Sequence, residues 1–99
     1  MEQQKWTEVW IGTDIRADHN RYTCKNTFTR DQLEIGGYIS QKNLDGSDVF
    51  GSVTVVAMDD DSLTVRYGIY EHVLAPGKYV TLASGGRDYA SFDLWISIR

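Results

Sequence analysis

The chain predicts an all-β domain, or a mainly β one with one short helical turn: an antiparallel meander of about six to seven strands, closed as a small barrel or folded as a two-layer sandwich. Three observations carry that expectation. Apolar and polar residues alternate with period two through most of the 99 residues, as they do in half-buried strands. Turn-forming clusters such as Asp45-Gly46, Pro76-Gly77 and Gly85-Gly86 separate the alternating runs. No amphipathic stretch is long enough for a helix that crosses over between parallel strands, so neighbouring strands are expected to run antiparallel.

The first strand spans Lys5 to Arg16, with Val9, Ile11 and Ile15 on one face and Trp6, Glu8, Trp10, Asp14 and Arg16 on the other. Ala17-Asp18-His19-Asn20 suits a four-residue turn, after which Tyr22, Cys24 and Phe28 form the apolar side of a second strand. That loop sets Ile15 opposite Tyr22 and Val9 opposite Phe28. It also sets Ile11 opposite Asn26, a poor rung that invites a bulge.

Thr29-Arg30-Asp31-Gln32 has the form of a capping box, and Gly36-Gly37 leaves room for at most one helical turn. Leu33, Ile35 and Ile39 continue with period two through the glycine pair, which predicts a curved third strand. A three-residue loop with Gly46 left-handed would place Ile39 opposite Gly51 and Ile35 opposite Val55.

Val49 to Ile69 is the clearest hairpin. Val49, Val53, Val55 and Ala57 share one side of its first arm, and Leu63, Val65, Tyr67 and Ile69 share one side of the second. A three-residue loop of Asp59-Asp60-Asp61 sets Ala57 opposite Leu63, Val55 opposite Val65 and Val53 opposite Tyr67, so apolar meets apolar at each rung. Glu71 to Gly77 is expected to be a loop, with Pro76-Gly77 at the centre of a type II turn. Lys78 to Ser84 makes a sixth strand, Gly85 to Asp88 breaks the chain, and Ala90 to Ile98 makes the last strand, with Trp95, Ser97 and Arg99 opposite its aliphatic side. The stretch from Leu33 to Tyr67, with its Gly36-Gly37-Tyr38-Ile39, Asp45-Gly46 and Phe50-Gly51-Ser52-Val53, resembles the strand pattern of SH3-like small barrels. The likeness concerns turn chemistry and alternation and implies no function.

Composition bounds the function classes. A chain this short is read as a single β domain over residues 1–99, with residues 1–4 as a disordered N-terminal tail. Hydrophobic residues at 41% and charged residues at 24% are those of a globular chain, which argues against intrinsic disorder. A formal charge of −4 supplies no overall field toward nucleic acid or anionic lipid, so nucleic acid and membrane are not expected partners. The lone Cys24 excludes an internal disulfide, and together with an N-terminus lacking an apolar core it predicts a cytoplasmic protein.

No catalytic constellation is recognisable, so the chain is not expected to be an enzyme. His19 beside Asp18 and His72 beside Glu71 would have to act with neighbours that point away from them in extended chain. Asp59 to Asp61 lacks the alternating spacing of a calcium loop and reads as a solvated tip; no metal or cofactor is expected. Cys24 reads as a small buried hydrophobe. The aromatic residues are more informative, because several lie opposite the aliphatic side of their strand. Their rings cover a second small core, form a subunit interface, or line a groove for a ligand. The expectation is a non-catalytic binding or interaction module with an aromatic surface for a protein partner or small ligand, carried by Trp6, Trp10, Tyr38, Arg66, Tyr70 and Trp95. The alternatives are a self-associating homo-oligomeric subunit, and an acidic inhibitor or immunity-type protein covering a basic surface.

Overall fold

The computed structural model describes residues 4–17, 20–42, 48–87 and 90–99, and the side chains among these outside 15–24, 41–52 and 86–92. Eight strands form: β1 (Glu8–Ala17), β2 (Asn20–Thr29), β3 (Tyr38–Lys42), β4 (Asp48–Met58), β5 (Leu63–Tyr67), β6 (Tyr70–Leu74), β7 (Tyr79–Arg87) and β8 (Ala90–Ile98). They build two antiparallel sheets of four strands each, in the orders β2-β1-β8-β7 and β3-β4-β5-β6. The second sheet is an unbroken meander, whereas the first joins the N-terminal and C-terminal hairpins along β1 and β8. The sandwich form of the expectation fits this arrangement, and among the described residues no ladder closes the sheets into a barrel. No described helix is long and apolar enough to cross a membrane.

The core lies between the two sheets. Val9 and Ile11 of β1 and Leu94, Ile96 and Ile98 of β8 face Ile39, Val53, Val55, Leu63, Val65 and Leu74 of the other sheet, and all are fully or almost fully buried. Each strand contributes alternate residues, as the two-residue period of a pleated strand requires. The register of β1 with β2 is the expected one, Val9 opposite Phe28 and Ile15 opposite Tyr22. The ladder runs unbroken past Ile11 and Asn26, so the bulge expected there does not form. It also extends to Ala17 opposite Asn20, so these two residues of the expected turn belong to strands, while Asp18 and His19 lie outside the described residues.

Three bulges lie elsewhere, and each keeps apolar residues facing inward. In β4 a shift between Val55 and Ala57 leaves Val55 opposite Val65 as expected, but sets Met58 rather than Ala57 opposite Leu63, and Met58 packs on the core. Between β3 and β4 the turn-proximal rungs Gln41–Val49 and Lys42–Asp48 follow the expected register. Two extra residues on β4 then put Ile39 opposite Val53, not Gly51. In β7 a shift after Thr81 sets Ala83 opposite Leu94 and lets both Leu82 and Ala83 pack inward.

The expected third strand begins later than its alternation suggests. Residues Glu34 to Gly37 form a turn closed by Gly37 N–H donating to Glu34 O (2.9 Å), with Gly36 at φ 88°, the third position of a type II turn. Ile35 therefore stands at a turn tip, exposed, instead of opposite Val55. Val55 pairs with the glycines themselves: Gly36 N–H donates to its carbonyl at 2.8 Å, and its own N–H donates to Gly37 O at 2.9 Å.

The stretch after Tyr67, expected to continue a strand and then become loop, is a hairpin. Gly68-Ile69 is a two-residue turn that leaves Ile69 87% exposed, and Tyr70 to Leu74 returns as β6 against β5. Pro76-Gly77 forms the expected type II turn, with Gly77 at φ 82° and Lys78 N–H donating to Ala75 O at 3.3 Å. The Gly85-Gly86-Arg87 segment does not break the chain: it lies inside β7, opposite Phe92, Ser91 and Ala90. The Asn43–Ser47 turn, the side chain of Cys24, His19 and residues 1–3 of the expected tail lie outside the described residues.

The capping box is present at the single 3-10 turn Arg30–Gln32, where Gln32 Oε1 accepts Thr29 N–H at 2.8 Å. This turn and the segment before β1 strap down the acidic tip. Asp59 O accepts from Trp6 Nε1 (2.9 Å) and from Arg30 Nη2 (3.0 Å), and Lys5 N–H donates to Asp60 O at 2.7 Å. The tip was expected to be merely solvated. Its Asp59 and Asp61 side chains are indeed exposed, while its carbonyl groups tie the loop to the N-terminal segment.

Candidate functional site

The outer face of the first sheet gathers aromatic and charged side chains. Because Val9, Ile11 and Thr13 face the core, period two sends Trp10, Gly12 and Asp14 outward. Register then sets their neighbours. Trp10 lies between Thr27 of β2 and Ser97 of β8, with Tyr79 of β7 beyond Ser97. Gly12 lies between Lys25 and Trp95, and Asp14 lies next to Asp93. A groove of about 370 Å³ runs over these rows, lined by Trp10, Asp14, Lys25, Tyr79, Trp95, Ser97 and Arg99.

Both indoles are held by their N–H groups. Trp10 Nε1 donates to Glu8 Oε1 at 2.8 Å, and Trp95 Nε1 donates to Asp14 Oδ1 at 3.3 Å. Tyr79 meets Trp95 edge to face, with ring centroids 6.3 Å apart and planes at 69°. Two cations lie over the Trp10 ring, Lys25 Nζ at 3.6 Å from its centroid and Arg99 Cζ at 4.3 Å. Lys25 comes from the row of Gly12, and Arg99 from the row of Glu8, with which it exchanges backbone hydrogen bonds. Such contacts contribute about 0.5–1 kcal/mol each at exposed sites, enough to bias where two flexible cationic chains rest.

Ser97 is buried between Trp10 and Tyr79, and its Oγ has no hydrogen-bond partner among the described residues. A buried hydroxyl left without a partner is costly to the fold. The groove as a whole offers flat apolar surface and both signs of charge: Lys25, Arg99 and Asp14 line it, with Glu8 and Asp93 beside it.

The structure brings two of the six expected site residues together, Trp10 and Trp95. Trp6 is elsewhere: it is 1% exposed, packs in the core and carries the Arg30 guanidinium at 4.1 Å from its ring centroid. Trp6 joins the core between the sheets rather than a second small one, because the strand begins only at Glu8 and the outward parity does not extend back to it. Tyr38 and Arg66 lie on the outer face of the second sheet, Tyr38 74% exposed and Arg66 paired to Glu71 at 2.8 Å. That ion pair is half-exposed and contributes roughly 0–1 kcal/mol. Tyr70 sits beside the Gly68-Ile69 hairpin tip, also largely exposed. His72 lies on the opposite side of β6 from Glu71, opposite Val65, so the two do not form a dyad. Among the described residues no group of three or more metal-ligating side chains gathers.

Sequence reasoning missed Lys25, Tyr79, Ser97, Arg99 and Asp14 as site residues. Their outward parity was legible in each strand, but the pairing of β1 with β8, which puts them on one surface, joins segments some eighty residues apart. Comparisons of the chain with protein-family models, with curated proteins and with solved structures return no match.

Proposed function

We propose that the chain is a non-catalytic binding module whose ligand-contacting surface is the outer face of the first sheet. The observation that carries this reading is the convergence of Trp10, Trp95 and Tyr79 from three strands onto one groove, with Lys25 and Arg99 held against it. Aromatic rings on the solvent side of a sheet are not needed for the core, which is already formed on the other side. Their volume and lining match the low end of small-ligand sites, about 300–1,000 Å³ with few polar groups. The test is a fragment screen by NMR on nitrogen-15-labelled protein. Bound fragments are expected to shift the indole resonances of Trp10 and Trp95 and to leave that of Trp6 in place. Hits that perturb only other surfaces would remove the groove from the reading.

A second reading, self-association, draws on β6. It is the edge of the second sheet, and Ile69, Tyr70 and Val73 are exposed along it without a flanking lysine. Edge strands of this kind pair readily with a second copy. Sedimentation velocity at micromolar concentration decides it: association that Val73→Lys abolishes supports the reading, and a monomer at all concentrations removes it.

A further inference from the structure

We infer that the groove on the outer face of the first sheet takes a neutral pyranose glycan. The inference rests on the binding-module reading above and adds the chemical class of the ligand. The ring geometry is the first support. Glu8 and Asp14 already engage the indole N–H groups, so Trp10 and Trp95 present ring faces rather than donors. The faces of Trp10 receive Lys25 and Arg99, whereas Trp95 and the largely exposed Tyr79 make an angled apolar corner at 69°. A pyranose ring has an axial C–H face that packs on such a corner and a rim of hydroxyls that does not.

The polar complement is the second support. An apolar ligand would desolvate Lys25, Arg99 and Asp14 without replacing their hydrogen bonds. Hydroxyls both donate and accept, so the same ligand can accept from the ammonium and guanidinium groups and donate to carboxylate oxygens. Ser97 lines the groove but is itself fully buried, so the polar groups that can meet the ligand are Lys25, Arg99 and Asp14.

Charge then separates the classes of ligand. Lys25, Arg99 and Asp14 line the groove with Glu8 and Asp93 beside it, so neither sign of charge is concentrated there, and the chain as a whole carries −4. Polyanions draw their affinity from concentrated cationic charge and the release of counterions, which this surface does not provide. An organic cation would compete with Lys25 and Arg99 for the same ring. A neutral ligand with many hydroxyls meets neither penalty.

The experiment uses the full chain and follows tryptophan fluorescence on titration with cellohexaose, xylohexaose and mannohexaose, with heparin, oligodeoxythymidylate and a proline decapeptide beside them, at low and high salt. At least one neutral oligosaccharide is expected to give a saturable change that salt leaves in place. Trp95→Ala and Tyr79→Ala are each expected to weaken it roughly tenfold, the loss of one stacking face. Failure of all three oligosaccharides to bind overturns the inference. So does binding confined to heparin or oligodeoxythymidylate and lost at high salt, or confined to the proline peptide. If one of those probes binds and Trp95→Ala or Tyr79→Ala abolishes it, the glycan is wrong while the groove remains the binding surface. If binding of any probe is indifferent to both substitutions, the groove reading itself falls.

Discussion

Thr13 places a hydroxyl on the inward side of β1, opposite Leu94, where it is 2% exposed and without a hydrogen-bond partner among the described residues. The threonine methyl is already suited to this layer; the hydroxyl is not. Thr13→Val keeps the shape and removes the unsatisfied group, so it is expected to raise stability by about 1 kcal/mol, read as a higher urea midpoint with unchanged slope. The tryptophans give a sharper contrast. Trp6→Ala opens a cavity in the core and removes the hydrogen bond to Asp59 O, a loss of about 3–5 kcal/mol. Trp95→Ala removes a half-buried ring from an outer face and is expected to cost less than about 1.5 kcal/mol. Alternation placed both residues on the polar side of their segments. It was a sound guide for Trp95, inside a strand, and failed for Trp6 because Lys5 to Thr7 is irregular backbone held by Asp60 and Arg99. Parity has meaning only where the pleat is continuous.

At the level of the elements, the alternating pattern was reliable within β1 and β8 and misleading at turns that happen to preserve it. Leu33, Ile35 and Ile39 alternate, yet Gly36 turns the chain between them, and the strand starts at Tyr38. Gly36 sits at φ 88°, a conformation that costs a residue with a side chain about 1–2 kcal/mol. Space is not the obstacle, since a Cβ there meets nothing within 4 Å. Gly36→Ala is therefore expected to destabilise by about that amount through backbone strain alone, whereas Ile35→Ser at the exposed turn tip is expected to change the denaturation midpoint very little. β6 escaped notice for the converse reason. Its Val73 and Tyr70 are exposed and Leu74 is its sole fully buried residue, so an edge strand reads like a loop. The bulges were equally invisible in position: the chain shows that Ala57 and Met58 both could face inward, and only the packing of Met58 on the core decides.

The whole molecule depends on one core shared by two sheets. Val53, Val55, Leu63 and Val65 of the second sheet close over Ile11, Leu94 and Ile96 of the first, and each is essentially inaccessible to solvent. The groove is built on the reverse side of those same strands: Trp10 adjoins Val9 and Ile11 in β1, and Trp95 adjoins Leu94 and Ile96 in β8. Loss of the second sheet would thus leave the inner face of the first uncovered, and a four-stranded sheet with one exposed apolar face has no second layer to hold its twist or register. Domains of this size are stable by about 5–15 kcal/mol, and each unsatisfied amide placed in the core costs on the order of 1–3 kcal/mol beyond the packing it displaces. The pair Val53→Asn and Val65→Asn is accordingly expected to unfold the protein as a unit. Far-ultraviolet dichroism and the fluorescence of Trp10 and Trp95 should be lost together, although both substitutions lie in the sheet that does not carry the groove. Asp60→Asn leaves the backbone carbonyl that accepts Lys5 N–H and is expected to match the wild type in the same assay. Survival of the native tryptophan signal in the double variant would mean that the first sheet stands alone, and the coupling of groove to core would be wrong.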